Sequence, residues 1–120
     1  MTWKIYGIPN CDTVRKARQW LANADIQAEF VDYRSHPLQT DTVTAWVASL
    51  GMQQLLNRRS STWRSLSSSQ QSLDEAAMIR LLCESPTLIK RPVLCRDGQA
   101  VLCGFDESAW HDTIHPVDAH

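Results

Sequence analysis

The sequence predicts an α/β domain: a four-stranded mixed sheet with a helical region inserted in its middle. Two stretches carry that reading. Near the start, a β-prone run (Trp3, Ile5, Tyr6, Ile8) breaks at Gly7 and Pro9, passes into a helical pattern, and is followed by a second β-prone run. Near the end, Asp97-Gly98 lies between two apolar runs, a strong short hairpin signal.

Taken in order, the first strand hands over at Cys11 to a helix expected over residues 12–24, with Val14, Ala17, Leu21 and Ala24 on one face. Asp12 and Thr13 suit its first turn, and Asn23 and Asp25 its end. Residues 27–33 form the second strand. A helix of about three turns between two strands is a crossover connection, so the strands run parallel in a right-handed β-α-β unit. Cys11 then sits at the carboxyl end of the first strand, the edge where open α/β sheets place ligands. After a loop at Arg34-Ser-His-Pro37, a helix is expected over residues 40–50, capped by Thr40 or Asp41. It turns Val43, Trp46, Val47 and Leu50 inward and stops at Gly51.

Residues 55–72 are the least regular. Arg58, Arg59 and Arg64 with Trp63 form either a solvated face or an anion-accepting rim. Ser72-Leu-Asp-Glu75 reads as a capping box opening a helix that runs to about Glu84 and buries Ala77, Met78, Leu81 and Leu82. In the hairpin, a two-residue loop pairs Arg96 with Gln99, Cys95 with Ala100 and Leu94 with Val101, which sends Cys95 and Cys103 to opposite faces. Asp106 caps a last short helix, and the tail beyond Pro116 is expected to fray. A β-α-β unit joined to a hairpin in one sheet is the thioredoxin/glutaredoxin-like arrangement, expected here as one domain over residues 1–116 with 117–120 as tail.

The totals narrow the function classes. Of 120 residues, 43% are hydrophobic and 21% charged, as in ordinary soluble domains. A formal net charge of −1 argues against nucleic-acid binding driven by bulk electrostatics. The sequence contains no apolar run long enough to span a membrane and opens on no signal peptide, so a cytoplasmic monomer is expected. Cys11, Cys83, Cys95 and Cys103 show no C-x-x-C spacing, and the histidines are scattered, so neither a metal site nor a dithiol motif is expected. Cys11 is either a small buried hydrophobe or a reactive thiol. Its polar neighbours Asn10 and Asp12 favour the second. At a helix start the thiol meets unpaired backbone N–H groups and the positive end of the helix dipole, with Arg15 and Arg18 on later turns adding positive charge.

Tyr6-Gly-Ile-Pro-Asn-Cys-Asp-Thr-Val-Arg-Lys-Ala-Arg18 with Leu88-Ile-Lys-Arg-Pro92 resembles the arsenate reductase (ArsC-type) family, in its Spx/MgsR/YffB-like branch. Gly51, Leu55-Leu56-Asn57-Arg58, Thr62-Trp63-Arg64 and Leu102-Cys103-Gly104-Phe105 extend the likeness over almost the whole chain. The resemblance implies that Cys11 is the nucleophile, that Arg91 helps hold an oxyanion, and that Pro92 is a cis proline beside the cysteine. Arg58 falls one position beyond the family's second arsenate-binding arginine, and the third is replaced by Gly104. Losing one of three fixed arginines removes much oxyanion affinity, which speaks against arsenate reduction. Val14 stands where Spx-type sensors carry a second cysteine, so a local disulfide switch is excluded.

The resulting expectation is a monothiol reductase that holds no bound cofactor and uses glutathione as its thiol cosubstrate. Its substrate would be a small anionic or disulfide molecule. Arg91 would neutralise the substrate, Arg15 would support the thiolate, and Arg58 and Arg64 would add to the rim. Asp12, Thr13 and the N–H groups of residues 12–14 would bind an anion at the helix end. The rival is a redox-linked regulator that binds RNA polymerase as Spx-type proteins do. The blandest reading is a thioredoxin-fold domain without chemistry.

Overall fold

A computed structural model describes residues 1–115. The expected fraying tail lies outside the described residues. The first strand, β1 (Trp3–Gly7), leads to α1 (Asp12–Asn23), and α1 returns the chain to β2 (Ala28–Asp32). β2 lies parallel to β1, with Trp3 opposite Ala28 and Gly7 opposite Asp32. The inserted region follows as α2 (Thr40–Leu50), α3 (Met52–Leu55), α4 (Ser61–Ser65), α5 (Ser68–Gln71) and α6 (Glu75–Glu84), then a 3-10 turn at Pro86–Leu88. The hairpin strands β3 (Val93–Arg96) and β4 (Gln99–Cys103) precede α7 (Glu107–Ile114). The sheet order is β2-β1-β3-β4, with β3 antiparallel to both neighbours, so the sheet is mixed and has four strands as expected.

Each face of the sheet carries its own core. On one, Ala17 and Leu21 of α1 and Trp110 of α7 bury against Ile5 and Leu94. Trp110 also donates from its indole nitrogen to the Gly104 carbonyl (2.9 Å), which ties α7 to the end of β4. On the other face, Val43, Trp46 and Val47 of α2 and Met78, Ile79 and Leu82 of α6 cover Val93 and Cys95. No helix among the described residues is long and apolar enough to cross a membrane.

Three local expectations are corrected. Ser72 does not cap α6. Ser67 and Gln70 form their own capping box and start α5, so Ser72 is used up as that helix's C-terminal residue. Asp74 takes over, accepting from the Ala77 N–H (2.9 Å). α2 spans Thr40–Leu50 as expected, but its N-cap is Gln39, with no side-chain cap from Thr40 or Asp41. The hairpin turn is correct: Asp97 and Gly98 both take positive φ, and Arg96–Gln99 and Cys95–Ala100 pair as expected. A bulge between Leu94 and Cys95 then shifts the register, so that Leu94 faces Leu102 rather than Val101, and Val93 faces Cys103. The shift brings Cys103 to the same face as Cys95. All four cysteines remain free.

Candidate functional site

The site is assembled where β1 ends. Gly7 closes the strand, and the loop through Ile8, Pro9 and Asn10 delivers Cys11 as the N-cap residue of α1, in extended conformation. Its side chain makes no full hydrogen bond to the helix end, but the Val14 and Thr13 N–H groups lie close enough to stabilise charge on the sulfur. Partial burial opposes ionisation. The Val14 N–H, the nearby Arg91 guanidinium with its positive charge and the Thr13 N–H together outweigh that, and the thiol is held below an ordinary cysteine.

Arg91 stands at the entry to β3, and its peptide bond to Pro92 is cis, as the resemblance implied. The same segment is pinned to the inserted region by a short antiparallel bridge between Leu56 and Ile89. Its two flanking bonds run from the Asn57 N–H to the Leu88 carbonyl (2.7 Å) and from the Lys90 N–H to the Leu55 carbonyl (2.9 Å). That bridge carries Arg58 and Arg59 to the same open cleft as Arg91, Lys90 and Thr13, about 780 Å³ in volume. Gly104, at the position of the missing third arginine, is also on its wall. Four cations against one carboxylate, Asp106, give this cleft an excess of positive charge. Arg59 belongs to the rim that the sequence offered as one of two readings, whereas Lys90 is a cation that the sequence reading does not single out. The signal for Lys90 is its adjacency to Arg91, beside a bridge that no local pattern announces.

Other expected residues lie apart. Arg15 pairs with Asp12, both well exposed, and lines a separate cavity of about 880 Å³ near Trp3. Arg18 stacks on Phe30, 4.1 Å from the ring centre. Arg64 is an exposed residue of α4 outside the cleft, whereas Arg58 lies over Trp63 at 5.6 Å. Tyr33, read from the sequence only as a strand residue, proves to be at the site: burial first, then the nearby Cys11 charge, push its phenol up to about 12 against the pull of Arg91. Its position just past the carboxyl end of the strand beside β1 was the available clue. Among the described residues, no three His, Cys, Asp or Glu side chains come together as a metal would require.

Gly7 sets how closely α1 approaches the sheet. A β-carbon there would stand 2.9 Å from one Val14 methyl and 3.2 Å from the other, and Val14 is fully buried. Gly7→Ala is therefore expected to lower stability by roughly 1–3 kcal/mol through overpacking. It should also raise the Cys11 pKa, because the first turn that carries the Val14 N–H must move. Thermal melting and thiol alkylation against pH read the two effects.

A mixed four-stranded sheet in the order β2-β1-β3-β4, with helices on both faces, is a thioredoxin-like fold. The chain belongs to the ArsC family, whose model matches residues 6–113. It is similar to an uncharacterised protein of Haemophilus influenzae, 43% identical over 88% of this chain and 93% of that one. Among solved structures it resembles the YffB protein, at a TM-score of 0.83 and 39% identity, over 91% of this chain and 96% of the other. The global transcriptional regulator Spx of Listeria innocua is 29% identical over 86% of this chain and 79% of its own.

Proposed function

We propose that this chain is a glutathione-dependent monothiol reductase acting on a small disulfide or anionic electrophile. The supporting observation is one thiol, Cys11, lowered in pKa by Arg91 and a helix end and set beside a four-cation cleft. In the reaction, the Cys11 thiolate attacks one sulfur of the substrate disulfide. The substrate S–S bond breaks, a mixed disulfide forms on Cys11, and the departing thiolate takes a proton from water. Glutathione thiolate then attacks the substrate-derived sulfur of that adduct. This restores the Cys11 thiolate and releases the substrate fragment as a disulfide with glutathione. Val14, wholly buried where a second cysteine would stand, leaves the second step to an external thiol.

The test is turnover of hydroxyethyl disulfide with glutathione, with mass spectrometry of the trapped protein. A Cys11 adduct together with catalytic turnover is expected. A Cys11 pKa near the free-thiol value of about 8.5, with no glutathione-dependent turnover, would overturn the reading. The likeness to Spx supports a second reading, regulation through RNA polymerase. Binding of a polymerase subunit that survives Cys11→Ser would favour it.

A further inference from the structure

We propose that Tyr33 is a positioning residue for Arg91: its phenol oxygen seats the guanidinium so that the fork faces the Cys11 sulfur. The proposal rests on the reductase reading for its kinetic test, though not for its chemical one. Tyr33 follows β2 directly, and its N–H donates to the Gly7 carbonyl (3.2 Å), which fixes it one strand away from the loop that delivers Cys11. The side chain is 3% exposed, and its hydroxyl is shut off from solvent with no hydrogen-bond partner. Buried hydroxyls without partners are rare and call for an explanation.

The explanation lies in where Arg91 sits. Its side chain borders two spaces, the basic cleft and a smaller cavity of about 340 Å³ that Tyr33 and Ile8 also line. A long side chain with open space on both sides needs an anchor to point its charge one way. The guanidinium is the cation that shares the smaller cavity with the Tyr33 hydroxyl and bears on its titration. The same guanidinium is among the groups that lower the Cys11 pKa. Arginine presents several N–H donors in a rigid plane, so one edge can rest on the phenol while another meets the sulfur or its adduct. The phenol keeps its proton throughout the working pH range, because burial and the nearby thiolate hold its pKa high.

Tyr33→Phe keeps the ring and removes the oxygen alone. The expected result is a roughly tenfold loss in kcat/KM for disulfide reduction, the scale of one hydrogen bond to a charged group. Slower alkylation of Cys11 below its ordinary pH range should accompany it. Combining it with Arg91→Met makes the decisive measurement. In the Arg91→Met background, Tyr33→Phe should cost less than about twofold, because residues that act through one another are not additive. Melting temperature should be unchanged or higher, since the oxygen lost has no full structural partner. Additive losses, no loss at all, or a lower melting temperature would each overturn the proposal, the last by assigning the oxygen to packing. If the wild-type protein reduces no disulfide, the reductase reading fails by itself. The alkylation cycle then still decides whether Tyr33 acts through Arg91.

Discussion

Cys11→Ser should abolish glutathione-dependent reduction, with at least a ~10³-fold loss, the scale seen when a nucleophile is removed, while the fold remains intact. The fold is spared because Cys11 is only partly buried, and its side chain forms no full hydrogen bond to the helix end. Serine is in any case a good residue at a helix N-cap. Chemistry is lost because a serine hydroxyl stays protonated at neutral pH and the attacking species is the thiolate. The other cysteines offer no substitute. Burial raises the pKa of Cys83, Cys95 and Cys103, taking Cys95 to about 11. Cys103 moreover donates its S–H to the Gln54 carbonyl (3.1 Å). Brief alkylation at neutral pH should therefore label one thiol per chain in the wild-type protein and none in Cys11→Ser. Equal labelling of both proteins would remove Cys11 from its assigned role.

How much of this was legible depended on whether the information was local. The β-α-β unit was readable because the apolar residues Val14, Ala17 and Leu21 repeat at helical spacing between two β-prone runs, and all three are buried under the sheet. Asp97-Gly98 fixed the turn for the same reason: its two residues supply the positive φ the turn needs. The bulge one pair further along was not legible. No local residue pattern announces it, and it reversed the expected face of Cys103. Ser72-x-x-Glu75 was a true pattern overruled by Ser67 and Gln70, which had already placed Ser72 at the end of another turn. At the site, Cys11 could be found from its place between strand and helix. The expected support from Arg15 could not be judged without knowing that Asp12, one turn back, pairs with it. Arg91 lies eighty positions from Cys11 in sequence. Spacing alone would not have joined them; the family likeness did.

Arg91→Met should cost about two orders of magnitude in kcat/KM, because one side chain serves two stages of the reaction. Before attack its nearby guanidinium and positive charge favour the Cys11 thiolate. After attack, in the proposed reaction, it would face the charge that departs, on the wall it shares with Arg58, Arg59 and Lys90. Charge-assisted hydrogen bonds of this kind contribute roughly 1.5–3 kcal/mol each, which is about a ten- to hundredfold effect in rate. Arg91→Lys should recover part of the thiolate effect through its charge but little of the orientation, since an ammonium lacks the planar fork. The pH dependence has a definite sign. Cys11 has a lower pKa folded than unfolded, so its ionisation stabilises the reduced protein at pH above the unfolded thiol value. That contribution is lost as pH falls through the folded value. In Arg91→Met the window narrows, because the folded pKa moves back toward that of an ordinary thiol. Alkylation rate against pH should therefore show its midpoint displaced upward, and melting temperature against pH should rise less between the two values. An unchanged midpoint in Arg91→Met would assign the lowered thiol to the Val14 and Thr13 N–H groups alone and leave Arg91 to substrate binding.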